Sequence, residues 1–335
     1  MKIHQKYIER CIELAKNGLV KAMPNPSVGA LIVYKNQIIG EGFTSAYGGA
    51  HAEVNAIRSV KDKSLLEKST LYVSLEPCSH HGKTPPCCDL ILDYKIPNVI
   101  IGTVDSNEKV AGNGIKKLIE AGVNVTVGIL EKECRASNIR FFTFHEKKRP
   151  FIILKWAESQ DGFIAPKTKK EQKPVWITNE FSRQLVHKWR SEEQAILVGT
   201  QTVIDDNPKL NVRDWTGKNP TRIVLDQNNR IPKESHIFDN QAKTIVLSSS
   251  EIDFSENIAN QIANFLFKNN IQSVIIEGGR QTLQTFIDEN LWDEARVFRG
   301  ELFLEKGIKA PVLQSKWTER QFILEDELLI FKNYD

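Results

Sequence analysis

The chain is poor in cysteine: five in 335 residues, two of them adjacent, too few and too unevenly spaced for a disulfide framework. Long apolar runs are missing too. No stretch approaches the roughly 18 residues that cross a bilayer, and the N-terminus lacks the basic, apolar and small-residue succession of a signal peptide. These absences predict a cytoplasmic protein with no membrane partner. Charge of one sign is scarce: the formal net charge is +3 and the charged residues are interspersed, so no polybasic track for nucleic acid stands out. A small anionic substrate fits that balance. No G-x-G-x-x-G follows any predicted strand, which excludes the usual dinucleotide fingerprint of the doubly wound fold.

What is present is a metal motif, His51-Ala52-Glu53 followed by Pro77-Cys78 and Cys87. One imidazole and two thiolates on zinc leave no formal charge over, keep a fourth position for water and lower that water's pKa toward neutrality. Zinc deaminases pair an H-x-E run with a later P-C…C segment and use the unligated glutamate to move protons. The spacer here is longer than the usual two residues. It carries Gly82, Pro85 and Pro86, so it can bulge outward and return Cys87 to the metal at a helix start. Adjacent helical residues point about 100° apart, so only one of Cys87 and Cys88 faces the metal, and Cys87 is favoured because it follows the turn. A closed structural zinc site is the rival reading, and it leaves Glu53 without a task. Cys11 and Cys134 sit in helical patterns and read as buried, inert thiols.

At about 100–200 residues per domain the length suggests two domains, and 41% apolar residues can fill two cores. In the first half a helix around Ile8–Leu19 precedes a hairpin, Val28 to Tyr34 and Gln37 to Phe43. Helix and strand then alternate: His51 to Val60, Thr70 to Leu75, Cys87 to Tyr94, Asn98 to Val104, Ile115 to Ala121, Val123 to Ile129. The zinc residues therefore fall at two helix starts, where free N–H groups lower a thiol's pKa. The charged, proline-ended run His145–Pro150 reads as a linker. The second half has strands at Phe151–Trp156, Ala195–Gly199, Thr221–Leu225, Thr244–Leu247, Ser273–Glu277 and Ala295–Phe298. Helices intervene at Glu180–Arg190, Ile258–Phe267 and Leu283–Leu291. Glu277-Gly278-Gly279 between strand and helix is an anion-binding geometry, although Gly-Gly is commonly just a turn. Lys155 reads, from its neighbours alone, as an edge charge or a snorkelling side chain. Gly199 to Pro208 reads as a polar loop, suited to ribose contacts or to a capping turn.

Pro24-Asn-Pro-Ser-Val-Gly29, His51-Ala-Glu53, Glu76-Pro-Cys-Ser-His-His-Gly-Lys-Thr-Pro-Pro-Cys87 and Val110-Ala-Gly-Asn-Gly114 occur in that order. Leu154-Lys155, Ser159-Gln-Asp-Gly162, Trp176-Ile-Thr178, Asp205 to Arg213 and Glu277-Gly-Gly279 follow. Over nearly its whole length the chain resembles the bifunctional riboflavin-biosynthesis deaminase/reductase family. The resemblance implies an α/β architecture in two parts, a cytidine-deaminase-like three-layer domain (1–145) fused to a dihydrofolate-reductase-like domain (150–335). It implies zinc-dependent deamination of a phosphorylated diaminopyrimidinone, then NADPH-dependent reduction of its ribosyl group, in a homo-oligomer.

The zinc ligands would be His51, Cys78 and Cys87, with Glu53 as proton carrier. Asn25, His80, Lys83 and Asn107 would contact the first substrate. Lys155 and Glu277 would stand near the sugar carbon that receives hydride, with Arg190, Leu210 and Arg213 as substrate contacts. Glu158, Trp176, Thr202, Asp206, Ser248 and Gly279 would contact NADP. Glu158 occupies a usually small position, Pro174 stands where serine is common, and Asp105-Ser-Asn-Glu108 departs from the familiar Asp-Pro-Asn-Pro. A carboxylate beside NADP would repel or reshape the site. A nucleic-acid base deaminase would share the first half but leaves everything from residue 151 unexplained. A non-catalytic nucleotide-binding module is the other alternative for that half.

Overall fold

The computed structural model describes residues 2–82, 85–106, 111–168 and 171–333. The chain divides into two compact units, Met1–Lys148 and Arg149–Asp335. Among the described residues no helix is long and apolar enough to cross a membrane.

The first unit begins with helices α1 (Lys2–Ala15) and α2 (Leu19–Ala22) and the hairpin β1 (Gly29–Tyr34) and β2 (Gln37–Phe43). Lys35 and Asn36 both take positive φ, as a two-residue hairpin turn requires. There follow α3 (Ala52–Ser59), β3 (Thr70–Leu75), α4 (Cys87–Asp93), β4 (Asn98–Thr103), α5 (Asn113–Glu120), β5 (Asn124–Val127), α6 (Glu131–Ser137) and α7 (Ile139–Lys147). The five strands form one sheet in the order β2-β1-β3-β4-β5, antiparallel at β2, β1 and β3 and parallel beyond. Alternate residues of β1 serve opposite faces. Ala30 and Ile32 join Ala56, Ile57, Ile91 and Leu118 from α3, α4 and α5, whereas Leu31 and Val33 join Ile8, Cys11 and Cys134 from α1 and α6. A sheet buried on both sides by helices is the three-layer arrangement expected from the alternating pattern. Gly42 on β2 leaves no room for a Cβ against the backbone of Ala52 and Ala56, so α3 lies directly on the strand. That close approach sets the height of the His51-Glu53 end of α3.

The second unit opens with β6 (Phe151–Glu158), β7 (Phe163–Pro166), α8 (Glu180–Glu192), β8 (Ala195–Gly199), α9 (Thr200–Asp206) and β9 (Thr221–Leu225). It continues with β10 (Thr244–Leu247), α10 (Ile258–Lys268), β11 (Ser273–Ile276), α11 (Arg280–Asp288), β12 (Glu294–Arg299), β13 (Gly307–Lys309), β14 (Glu319–Ile323) and β15 (Asp326–Lys332). Eight strands form a sheet in the order β10-β9-β8-β11-β6-β12-β15-β14, parallel as far as β12 and antiparallel at β15 and β14. Ile152, Leu154, Val274 and Ile276 pack with Ile262, Leu266, Leu283 and Phe286 of α10 and α11 on one face. The candidate residues Thr202 and Glu277 to Gly279 follow β8 and β11, at the carboxyl ends of parallel strands, where open α/β sheets bind ligands.

Three expectations change. His145, Glu146 and Lys147 complete α7, so half of the presumed linker is helix, and Arg149 is tied to Asp293 by two hydrogen bonds of 2.5 and 2.8 Å. The Gly199–Pro208 segment is the helix α9 over Thr200–Asp206, because Val203 alone anchors a short turn into the core that its polar neighbours mask. Lys155 lies on β6, a central strand paired with β11 and β12, and so is not an edge charge.

Two candidate active sites

In the first unit, His51 is the residue preceding α3, Cys78 follows β3, and Cys87 is the first residue of α4 after Pro86. His51 Nδ1 lies 3.5 Å from Cys78 Sγ and 3.3 Å from Cys87 Sγ, and all three potential ligand atoms are within 4.8 Å of one another. A tetrahedral zinc with Zn–N of about 2.05 Å and Zn–S of about 2.3 Å holds nitrogen and sulfur about 3.6 Å apart. The residues fit the ion. Cys88 turns away, its Sγ directed at the carbonyls of Pro77 (3.4 Å) and Gly114 (3.6 Å). Hydrogen bonding to Cys87 and to the His51 ring pulls the Cys78 thiol down to about 4, while His51 is pushed up to about 9 by the same contact with Cys78. A ligating imidazole is neutral, so a proton held by the His51 ring leaves when a metal binds.

Glu53 lies outside the ligand group and is 3% exposed. Burial raises its pKa, and its carboxyl reaches the Cys87 thiol. Asn25 stands on a loop clamped by Asn138, whose side-chain amide both accepts from Ser27 N and donates to Ser27 O at 2.9 Å. His80 is exposed on the segment between Cys78 and Cys87. Lys83 and Asn107 lie outside the described residues. The sequence reading gave no role to Glu76, which is buried at the end of β3. Its Oε2 accepts from Asp105 N (3.2 Å) and Gly112 N (3.0 Å), and its Oε1 from Gly114 N (2.9 Å) and Ile115 N (3.3 Å). An acid ending an apolar strand was the available signal.

In the second unit, a cavity of about 670 Å³ opens at the ends of β6, β8 and β11. Lys155, Arg190, Arg213 and Glu277 line it, as do Trp176, Thr202, Asp206 and Gly279. Arg190 Nε donates to Glu277 Oε1 at 3.1 Å and Nη2 to Oε2 at 2.6 Å, and Lys155 Nζ stands 4.0 Å from Oε2. Burial pushes the Glu277 carboxyl up, but the charges of Arg190 and then Lys155 outweigh it and hold the pKa at about 2. Burial lowers the pKa of Lys155 against the opposing pull of Glu277. Arg190 is therefore not a ready fork for phosphate, since its remaining nitrogen donates to Asn211 O at 3.3 Å. Thr202 Oγ1 accepts from Gly279 N at 2.9 Å and fixes the start of α11.

Three expected contacts are not on this wall. Glu158 points its carboxylate at Trp156 Nε1 (3.1 Å) and the Arg299 guanidinium (2.9 and 3.1 Å), because on β6 it alternates away from Lys155 and Ala157. Leu210 is buried with Val198 and Val203 in the core. Ser248 Oγ is bonded to Glu251 Oε2 at 2.7 Å and does not line this cavity. His187, unremarked in the sequence, does line it. One turn before Arg190, it accepts from Arg213 N at 3.4 Å through Nδ1 and faces Asp214 at 3.2 Å through Nε2. Burial and the two nearby arginines push its pKa down to about 4.

Residues 1–103 match the cytidine and deoxycytidylate deaminase zinc-binding region, and residues 150–309 match the RibD C-terminal domain. The riboflavin biosynthesis protein RibD of Aquifex aeolicus is 35% identical over 357 residues, covering 99% of each chain. The chain belongs to the RibD family. The RibD of Bacillus amyloliquefaciens is 36% identical over 93% of this chain and 88% of its own. Among solved structures, a diaminohydroxyphosphoribosylaminopyrimidine deaminase/5-amino-6-(5-phosphoribosylamino)uracil reductase from Thermotoga maritima is 36% identical and superimposes with a TM-score of 0.89, covering 99% of both chains. Membership in the RibD family accounts for a zinc site and an NADPH-using unit in one polypeptide.

Proposed function

We propose that the chain performs two successive steps of riboflavin biosynthesis on one phosphorylated pyrimidine. The first is hydrolytic deamination of 2,5-diamino-6-(5-phosphoribosylamino)pyrimidin-4(3H)-one. The second is NADPH-dependent reduction of the ribosyl group, giving 5-amino-6-(5-phosphoribitylamino)uracil. One observation carries this reading: a single RibD-family chain holds both the His51/Cys78/Cys87 cluster with Glu53 beside it and the Lys155/Glu277/Arg190 cluster in a cavity of about 670 Å³.

In the deaminase, His51, Cys78 and Cys87 would hold zinc, which would supply water activation when bound. Glu53 takes a proton from the attacking water and passes protons to the ring nitrogen and the departing ammonia. Burial strengthens its hold on a proton, which suits a carboxyl that must carry one. Asn25, His80, Lys83 and Asn107 contact the nucleotide. In the reductase, bound NADPH would supply the hydride, and the matching proton comes from Lys155, whose release of it is eased by burial. Glu277 keeps Lys155 charged and aimed, Arg190 holds Glu277, and Arg213 meets the phosphate. Trp176, Thr202, Asp206 and Gly279 face the cofactor.

The reading places the protein in the cytoplasm, where thiolate ligands stay reduced, and has it assemble as a homo-oligomer. The exposed edge strand β14, with Phe322 and the adjoining Leu324 both about two-thirds exposed (65% and 63%), supports assembly.

The test is to incubate the protein with the diaminopyrimidinone nucleotide, with and without NADPH, and weigh the products. Deamination alone without NADPH, and the ribityl product with it, is the expected result. Deamination with no NADPH oxidation would instead make the second unit a nucleotide-binding module.

A further inference from the structure

A second cavity, of about 310 Å³, adjoins the reductase cavity: Gln201, Thr202 and Gly279 line both. The two are lobes of one groove that runs past the start of α11. The first lobe holds the reacting groups Lys155 and Glu277, so an extended dinucleotide with its nicotinamide there passes its pyrophosphate over Gly279 and drops its adenosine into the second lobe.

Phe254, Ile258, Ile262 and Phe286 are among the residues lining the second lobe, an apolar set that suits an adenine. Its charged groups decide what happens at the adenosine ribose. In dinucleotide sites an acid after a strand bonds the 2′-hydroxyl of NAD, whereas an arginine nearby accommodates the 2′-phosphate of NADP. Here the acid is present but committed. Asp226, directly after β9 and 3% exposed, accepts from Arg230 N (3.0 Å), Ile231 N (2.9 Å) and the Thr200 hydroxyl (3.2 Å). Those bonds shape the 226–231 turn, and the turn delivers the Arg230 side chain to the wall. Among the described residues that line this lobe, Arg230 is the one cation. Its guanidinium is exposed and contacts Gln201 Oε1 at 3.3 Å, on one of the three residues shared by the two lobes.

We propose that Arg230 is the specificity-determining residue for NADPH over NADH, reading the adenosine 2′-phosphate while Asp226 holds the turn that presents it. The inference rests on the reductase reading above and adds to it a residue that the sequence offered no means of choosing.

The full-length protein is titrated calorimetrically with adenosine 2′,5′-bisphosphate and with 5′-AMP, which differ only in the 2′-phosphate, and so is Arg230→Ala. The wild type is expected to bind the bisphosphate more tightly. A lost charge-assisted pair of this kind corresponds to a roughly 10- to 100-fold weakening. Arg230→Ala should show that loss for the bisphosphate alone and bind 5′-AMP as the wild type does, and Arg230→Lys should recover part of it. Equal weakening for both ligands would place Arg230 at the 5′-phosphate and overturn the proposal, as would no weakening for either. Failure of the wild type to bind the bisphosphate or NADPH at all would overturn the reductase reading itself.

Discussion

Arg190 and Glu277 form a two-pronged ion pair, 3.1 and 2.6 Å, with both side chains about nine-tenths buried (11% and 9% exposed). α8 and the end of β11 are thereby fastened at the wall of the reductase cavity, and the carboxylate that faces Lys155 cannot turn away. Each ion is costly to bury alone, so each enforces the other's position.

That pairing makes stability depend on pH. The folded pKa of Glu277 is depressed from 4.5 to about 2, so its contribution is fully present above the unfolded value and is lost as pH falls from about 4.5 through 2. Glu277→Gln is expected to unfold at lower temperature than the wild type at neutral pH. The deficit should be on the order of a few kcal/mol, shrinking as both are acidified toward pH 2. Thermal denaturation followed across that range checks it; a deficit that stays constant in acid would mean that Glu277 is not ionised in the fold.

Glu53 is not one of the three grouped ligand residues, so its loss should separate metal binding from chemistry. Glu53→Gln is expected to retain stoichiometric zinc and lose at least about 100-fold in deamination. NADPH-dependent reduction of the deaminated nucleotide should persist. Metal analysis and the two half-reactions, assayed separately, check this.

The paired cysteines give a sharper metal test. Cys87 Sγ joins His51 and Cys78, whereas Cys88 Sγ faces the Pro77 and Gly114 carbonyls. Cys87→Ser should lose the ion and Cys88→Ser keep it. Zinc content after dialysis is the readout, and the opposite result would move the ligand.

Much of this was legible in advance. The strands Thr70–Leu75, Ala195–Gly199, Thr221–Leu225 and Thr244–Leu247 fall where the apolar runs do, since a buried parallel strand is a continuous apolar segment. The zinc cluster was legible because its spacing is local and its chemistry narrow. What stayed hidden depends on side-chain direction or on distant partners. Nothing around Glu158 announces that it alternates away from the cavity and meets Arg299, 141 positions later. Leu210 carries a motif position but a core side chain, and β14 is charged enough to look like loop. The Glu277-Gly278-Gly279 signal marked a strand end that lines the cavity, while Gln201 and Arg230 meet only in three dimensions.

The direction of Glu158 removes the expected conflict with NADP. Its charge is balanced by Arg299, which also pairs with Glu327 at 3.1 Å. Glu158→Ala should leave the KM for NADPH within about twofold, because no group of the cavity wall changes. It should lower stability by about 1–3 kcal/mol through the stranded Trp156 N–H and Arg299. Steady-state kinetics beside chemical denaturation distinguish this from a cofactor contact, for which KM would move and stability would not.

Glu76 is held by geometry alone. Four backbone N–H groups, from Asp105, Gly112, Gly114 and Ile115, converge on its two oxygens, so the end of β3 that leads into Cys78 is locked to both ends of the 105–115 segment. Glutamine at this position keeps one oxygen and replaces the other by an NH2 group, which cannot accept from the N–H groups it would face. Two donors lose their acceptor, at about 1–3 kcal/mol each if they stay buried. Asn107, the expected substrate contact, lies between these donors in the sequence, so losing the two bonds should weaken substrate binding before it touches chemistry. Glu76→Gln is therefore expected to unfold earlier, to raise the deaminase KM several-fold with a smaller change in kcat, and to retain its zinc. A variant that lost zinc with an unchanged KM would show that Glu76 acts on Cys78 and leaves the 105–115 segment in place.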